Sequence, residues 1–170
     1  DVRDVRIEFS ARTYDWYGVE VILRNTNQLQ DEFRVELDSW PYLTYRDSYG
    51  SFDYKYINDD YSSVMNGQWA RYRIDTYGDN LEVSFCTEYD ESESICTAGW
   101  TSISEFDVTN FGDSGDDADG GAVLLEVSRP VGIDNLEISN LDSSGSVTDS
   151  VTTEDFSAEN LSNVGLDSTY

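Results

Sequence analysis

The 170-residue chain has no histidine. Ser-His-Asp and Cys-His mechanisms are therefore excluded, and the usual proton shuttle near neutral pH is missing. What remains for chemistry is carboxylate. Two carboxyl groups about 5 to 5.5 Å apart serve retaining glycoside hydrolysis, and acids two positions apart on a strand share a face. Glu36 and Asp38 begin such a pattern, but Trp40 and Pro41 interrupt it; Glu105 and Asp107 begin another that ends at Asn110. With 35 acids in 170 residues, partial matches of this kind arise by chance. The expectation is a protein with no catalytic residues, not an enzyme.

Binding chemistry is written in several other places. Asp113, Asp116, Asp117 and Asp119 crowd one Gly-rich loop, F-G-D-S-G-D-D-A-D-G-G over residues 111–121. Hard cations want clustered oxygen ligands, which makes calcium the one cofactor to name. The loop lacks the spacing and final Glu of the twelve-residue helix-loop-helix calcium pattern, and a solvated acidic loop accounts for the same residues. Trp16 and Tyr17, with Trp40 and Tyr42, form a candidate platform for stacking sugar rings, although Tyr and Trp equally fill cores and protein interfaces. Cys86 and Cys96 are separated by the polar stretch T-E-Y-D-E-S-E-S-I. Spacing alone does not demand a bridge, but Cys86 ends one expected strand and Cys96 begins the next. A hairpin would bring them within bonding reach, for a disulfide stabilising by about 3 kcal/mol and implying an oxidising, extracellular setting. Zinc would find too few soft ligands. Asn160-Leu161-Ser162 is a single N-glycosylation sequon.

Charge narrows the partners. Twenty-two Asp and 13 Glu face nine Arg and the single Lys55, for a net charge of −25. Such a field repels nucleic acid and anionic lipid, so neither is an expected partner. Like charges this dense also destabilise the compact state unless cations screen them, which points to a saline or calcium-containing medium. No apolar run approaches the length of a membrane span, and no charged-then-apolar segment opens the chain. Membrane insertion and a retained signal peptide are not expected.

The elements that must position these residues are strands. Residues 66–85, N-G-Q-W-A-R-Y-R-I-D-T-Y-G-D-N-L-E-V-S-F, read as a hairpin. Ala70, Tyr72, Ile74 and Thr76 alternate with Trp69, Arg71, Arg73 and Asp75; past a Gly78-Asp79-Asn80 turn, Leu81, Val83 and Phe85 alternate with Glu82 and Ser84. The same alternation runs through residues 5–11, 19–23 and 33–38. Residues 40–61 mix aromatics with Asp, Ser and Gly, fitting strands with one wet face or amphipathic loops. Residues 100–103 and 105–108 read as two short strands, 122–127 as an interior strand because it is apolar on both faces, and 133–138 as the last strong strand. With little or no helix signal, this predicts an all-β fold, an antiparallel β-sandwich or jelly roll. A chain of this length buries roughly 70% of its unfolded surface. Residues 1–142 are read as one sandwich domain and residues 143–170 as a polar C-terminal tail.

The segments R-N-T-N-Q-x-x-x-x-F-R-V-E-L-D, G-Q-W-A-R-Y-R-I-D-T-Y-G-D-N-L-E-V-S, G-G-A-V-L-L-E-V and I-D-N-L-E-I resemble the concanavalin A-like lectin/glucanase superfamily, laminin G-like domains in particular. The resemblance spans residues 5–138 and implies the concanavalin A-like sandwich. It also implies Asp134, the acid of the closing strand, as a further calcium ligand. The glucanase strand motif acid-x-acid-x-x-acid is completed by neither pair of acids above. Members usually open on a segment like D-F-x-x-x-x-L-x-x-W, well before the first strand seen here. A stretch of that type instead occupies residues 154–164, around Asp155, Phe156 and Leu161. The expectation from this departure is a chain cut in register with a repeat, or circularly shifted.

The tail then needs a place. Strand addition supplies one, because backbone hydrogen bonds give affinity whatever the side chains, while Val147, Val151, Phe156, Leu161, Val164 and Leu166 fill pockets. If the tail pairs with its own domain it closes the sandwich; if it pairs with a neighbour, the heterologous contact builds an open fibre unless the rotation closes a ring. The expected function is a non-enzymatic extracellular or cell-surface structural subunit that self-associates head-to-tail, with a second copy in a homo-oligomer or an adjacent repeat as partner. The alternative is a lectin-like module that binds glycan at an aromatic surface.

Overall fold

The period-two segments close into two sheets. The computed structural model describes residues 4–12, 18–25, 32–37, 42–46, 52–56, 67–78, 80–90, 95–107, 122–127 and 132–154. Along the first half run β1 (Val5–Arg12), β2 (Val19–Asn25), β3 (Glu32–Leu37), β4 (Tyr42–Arg46), β5 (Phe52–Tyr56) and β6 (Trp69–Tyr77). The second half supplies β7 (Asn80–Cys86), β8 (Tyr89–Asp90), β9 (Ile95–Cys96), β10 (Thr101–Asp107), β11 (Ala122–Val127), β12 (Gly132–Leu141) and β13 (Val147–Glu154). The described residues include no helix. One sheet has the order β10-β7-β6-β1-β12-β13, the other β11-β2-β3-β4-β5, and β8 with β9 forms a small separate ribbon. Every pairing is antiparallel.

The two sheets share one core, as a β-sandwich must. Val5, Ile7, Phe9 and Ala11 of β1, with Ala70, Tyr72 and Ile74 of β6 and Leu81 and Val83 of β7, cluster with Val19, Val21 and Leu23 of β2, Phe33, Val35 and Leu37 of β3 and Leu43 of β4. These are the alternate residues of each strand, so the side-chain period of two selects which face is buried. Each fully buried Val, Leu, Ile or Phe contributes about 1.5–3 kcal/mol. Phe9 faces Tyr72 across the β1–β6 ladder, with ring centroids 5.6 Å apart.

Three departures from the expected strands have local causes. Residues 101–107 are one strand, not two, with a register shift between Ser102 and Ser104 where the alternation breaks. Among the described residues β11 lies at the end of its sheet's order, an edge position and not the interior one expected. An apolar run on both faces carries no information about pairing at the two edges. β12 carries an extra residue opposite the step from Glu8 to Ser10 of β1, and there Asn135 adopts φ 52°, a left-handed conformation that Asn tolerates.

β13 pairs with β12 of the same chain, so residues 147–154 of the polar tail extend the six-stranded sheet. The turn between them is built by Asp142, whose carboxylate accepts from the Ser144 hydroxyl at 2.6 Å, the Ser144 amide at 2.8 Å and the Ser146 amide at 3.0 Å. Those bonds, the hydroxyl's first, hold this carboxyl below its usual range. Gly145 sits at φ 80°, and a Cβ there would stand 3.1 Å from Tyr77 Cε1. Gly145→Ala is expected to cost about 1–2 kcal/mol, the penalty for a side chain in left-handed backbone. Urea denaturation reads it; an unchanged midpoint would contradict this turn.

Candidate functional site

The face of the six-stranded sheet turned away from the core carries an interlocked set of charges. Register places them: Arg6 stands opposite Asp75, Glu8 opposite Arg73, Ser10 opposite Arg71 and Arg12 opposite Trp69. Opposite charges at facing positions are favourable by about 0.2–1 kcal/mol each. On the other side of β1, β12 sets Glu137 against Glu8 and Ser139 against Arg6. Two carboxylates directly opposite repel. Arg71 offsets this, with Nη2 3.7 Å from Glu8 Oε2 and 3.8 Å from Glu137 Oε2.

Burial makes these contacts matter. Arg71 is 3% exposed, Glu8 7% and Asp75 6%, so each charge needs a partner to offset its lost hydration. Arg71 also donates to the carbonyl oxygen of Asn135, which the β12 bulge turns toward it. Its Nε is buried without a hydrogen-bond partner. Arg73 donates from Nε to Glu8 Oε1. Arg6 grips Asp75 with two bonds, at 2.8 and 2.7 Å, and the hydrogen bond to Asp75 pushes the guanidinium's pKa up.

The ribbon of β8 and β9 roofs part of this face. Cys86 and Cys96 are joined in a disulfide with Cα atoms 6.0 Å apart, which ties the ribbon to the end of β7. The Tyr89 ring lies 5.0 Å from Arg71 Cζ and the Trp100 ring 3.8 Å from Arg73 Cζ, and the two rings meet edge to face at 6.2 Å. Cation–π contacts of this sort contribute about 0.5–2 kcal/mol each, most when desolvated. Beside the roof, between Tyr89 and Val147 and above Arg6, Arg73, Glu137 and Ser139, opens a cleft of about 200 Å³. That is small against the ~300–1,000 Å³ of pockets for drug-sized ligands; it has room for one compact polar group. The cleft offers fixed donors, fixed acceptors and an aromatic wall.

No family model matches the chain. No curated protein matches it either. Among solved structures it is similar to the mouse laminin alpha1 chain, domains LG4-5. The identity is 14% and the TM-score 0.42, over 87% of this chain and 38% of that one. The chain spans about 38% of that structure's length, and no residue's role carries over.

Few of the expected site residues meet. Trp16, Tyr17 and Trp40, the aspartates Asp113, Asp116, Asp117 and Asp119, and Phe156, Asn160, Leu161, Val164 and Leu166 lie outside the described residues. Tyr42 is on β4, in the opposite sheet from the cleft. Asp134 is on β12, where its carboxylate accepts from the Asn135 amide at 2.9 Å, and among the described residues no three His, Cys, Asp or Glu group to hold a metal. Of the tail residues, Val147 lines the cleft and Val151 lies within β13. Cys86 and Cys96 do come together.

Apart from Val147, the cleft's lining is not among the expected site residues, yet the sequence carries a signal. Four of nine arginines, Arg6, Arg12, Arg71 and Arg73, fall at outward positions of two strands recognisable by their alternation. In a chain so poor in cations, that concentration marks a face.

Proposed function

We propose that this protein is a non-enzymatic extracellular recognition module that holds a neutral sugar ring in the cleft beside Tyr89. The observation that carries this reading is the cleft's lining: a polyhydroxyl ligand, each hydroxyl both donor and acceptor, matches Arg6, Arg73, Glu137 and Ser139 beside an aromatic wall. Every arginine of the lining is paired with a carboxylate, so the site has little net charge to attract an ion. An anionic ligand would also approach against the field of a chain at −25. Both Glu8 oxygens stand within ion-pair reach of guanidiniums, which disfavours Glu8 as a proton donor to a leaving group. The disulfide supports an oxidising, extracellular location, and no helix among the described residues is long and apolar enough to cross a membrane.

Head-to-tail self-association ranks second. Residues 147–154 are engaged with β12, and that pairing carries two register shifts, the kind of irregularity that keeps an edge from accepting another strand. A fibre would therefore depend on residues 155–170.

The test is titration with glucose, galactose, mannose and N-acetylglucosamine followed by amide NMR. Saturable shifts at Ser139 and Val147 are expected for at least one sugar, weakened about tenfold (1.4 kcal/mol) in Ser139→Val. Absence of saturable shifts for all four, or equal affinity in the variant, would end this reading.

A further inference from the structure

We propose that the outer face takes a linear chain of neutral sugar residues running along β6 from the cleft to Trp69, not a single ring. This rests on the reading of the cleft as a sugar site. Positions 73, 71 and 69 project outward in succession from β6, roughly 6.8 Å apart at two residues per step. Each carries an aromatic ring: Trp100 stands over Arg73, Tyr89 over Arg71, and at the third position the ring is Trp69 itself. Of these rings Tyr89 borders the cleft, and Trp69, at the far end of the series, is 49% exposed.

An exposed tryptophan alone means little, because single apolar residues are common on surfaces. The seating of Trp69 is what distinguishes it. Arg12 pairs with both Trp69 and Gly132, so the indole spans one intervening strand to reach β12. A Cβ at Gly132 would fall 2.9 Å from Trp69 Cη2 and 3.2 Å from Cζ2. A side chain at position 132 would displace the end of the ring from this seat. The ring thus already rests against β12 in the free protein, and such preorganisation lowers the ordering cost of binding.

The occupant follows from what lies between the rings. A protein partner covering this face would have to strip water from Glu137, whose side chain is 39% exposed, and from the Arg6–Asp75 pair. A saccharide chain stacks its C–H faces on the rings and replaces that water with hydroxyls.

The experiment compares the sugar that titrates the cleft with its linear tetrasaccharides, for glucose cellotetraose and maltotetraose, by calorimetry on wild type, Trp69→Ala, Trp69→Phe and Gly132→Ala. One tetrasaccharide is expected to bind wild type about tenfold more tightly than the monosaccharide, from the stacking contact added at Trp69. Trp69→Ala and Gly132→Ala lose about tenfold for the tetrasaccharide and nothing for the monosaccharide, while Trp69→Phe retains most of the gain. Since Trp69 is half exposed, circular dichroism should show both tryptophan variants folded. Affinity independent of chain length, or an equal loss for both ligands in Trp69→Ala, overturns the chain proposal and leaves the cleft reading standing. If neither ligand binds, both fail. If Trp69→Ala instead dissociates an oligomer in sedimentation with no sugar dependence, the face docks protein and the proposal is wrong.

Discussion

Arg71→Met is expected to destabilise the protein by about 3 kcal/mol, at the lower end of the cost of breaking a buried ion pair, and to lower Tm by about 6–12 °C for a chain of this size. The methionine fills much of the same space, so the loss is electrostatic. Glu8, 7% exposed, keeps Arg73 but loses its second guanidinium, and its repulsion from Glu137 is no longer bridged. The Asn135 carbonyl loses its donor and Tyr89 loses the cation beneath it. Glu137 can turn to water, which is why the cost stays near 3 rather than 5 kcal/mol. Arg71→Lys should recover less than half, because an ammonium cannot reach three acceptors and lie flat under a ring. Arg34–Glu20, a 2.9 Å pair on the other sheet with side chains 27% and 24% exposed, is the internal comparison. Its loss in Arg34→Ala should stay under about 1 kcal/mol. Equal effects of the two substitutions, read by urea denaturation, would show that the outer-face cluster is ordinary surface charge.

Removing the Cys86–Cys96 bond in a double serine variant should cost a similar amount by a different route. The bridge closes a loop with a sequence separation of 10, and the chain-entropy model assigns such a loop about 3 kcal/mol, mostly through the unfolded state. A purely entropic staple would leave the folded protein's binding unchanged. Here the bridge also anchors the ribbon that carries Tyr89, so sugar affinity should drop about tenfold at temperatures where the variant is fully folded. Wild type under reducing agent should match the variant in both Tm and affinity. A variant with lowered Tm and intact affinity would mean that the cation–π contacts alone hold the roof.

Both effects concentrate on residues whose neighbours in space are distant in sequence, and this separates what was legible from what was not. The strands themselves were legible. In Val5, Ile7, Phe9 and Ala11, or Ala70, Tyr72 and Ile74, the alternation is a local property of extended backbone, and every one of these residues is in the core. The hairpin turn was legible because Gly78, at φ 51°, is a residue type that local sterics select. The disulfide could be anticipated because hairpin geometry brings the end of one strand near the start of the next.

The site was not legible, since no local rule says that β1 lies between β6 and β12. Arg6 and Glu8, Arg71 and Arg73, and Glu137 read as solvated outward positions on three strands far apart in the chain. Pairing register alone turned them into a cluster, and the bulge at Asn135 supplied a carbonyl that ideal pairing would have kept in the ladder. The place of β11 at a sheet edge and of β13 beside β12 belongs to the same class. By itself the amino-acid sequence determined an acidic all-β sandwich and which faces of β1, β2, β3, β6 and β7 turn inward, because side-chain alternation and transfer from water are short-range. Tertiary structure alone decided which outward faces meet, because that depends on strand order and register over separations of about 65 and 130 residues, as between Glu8 and Arg73 or Glu137.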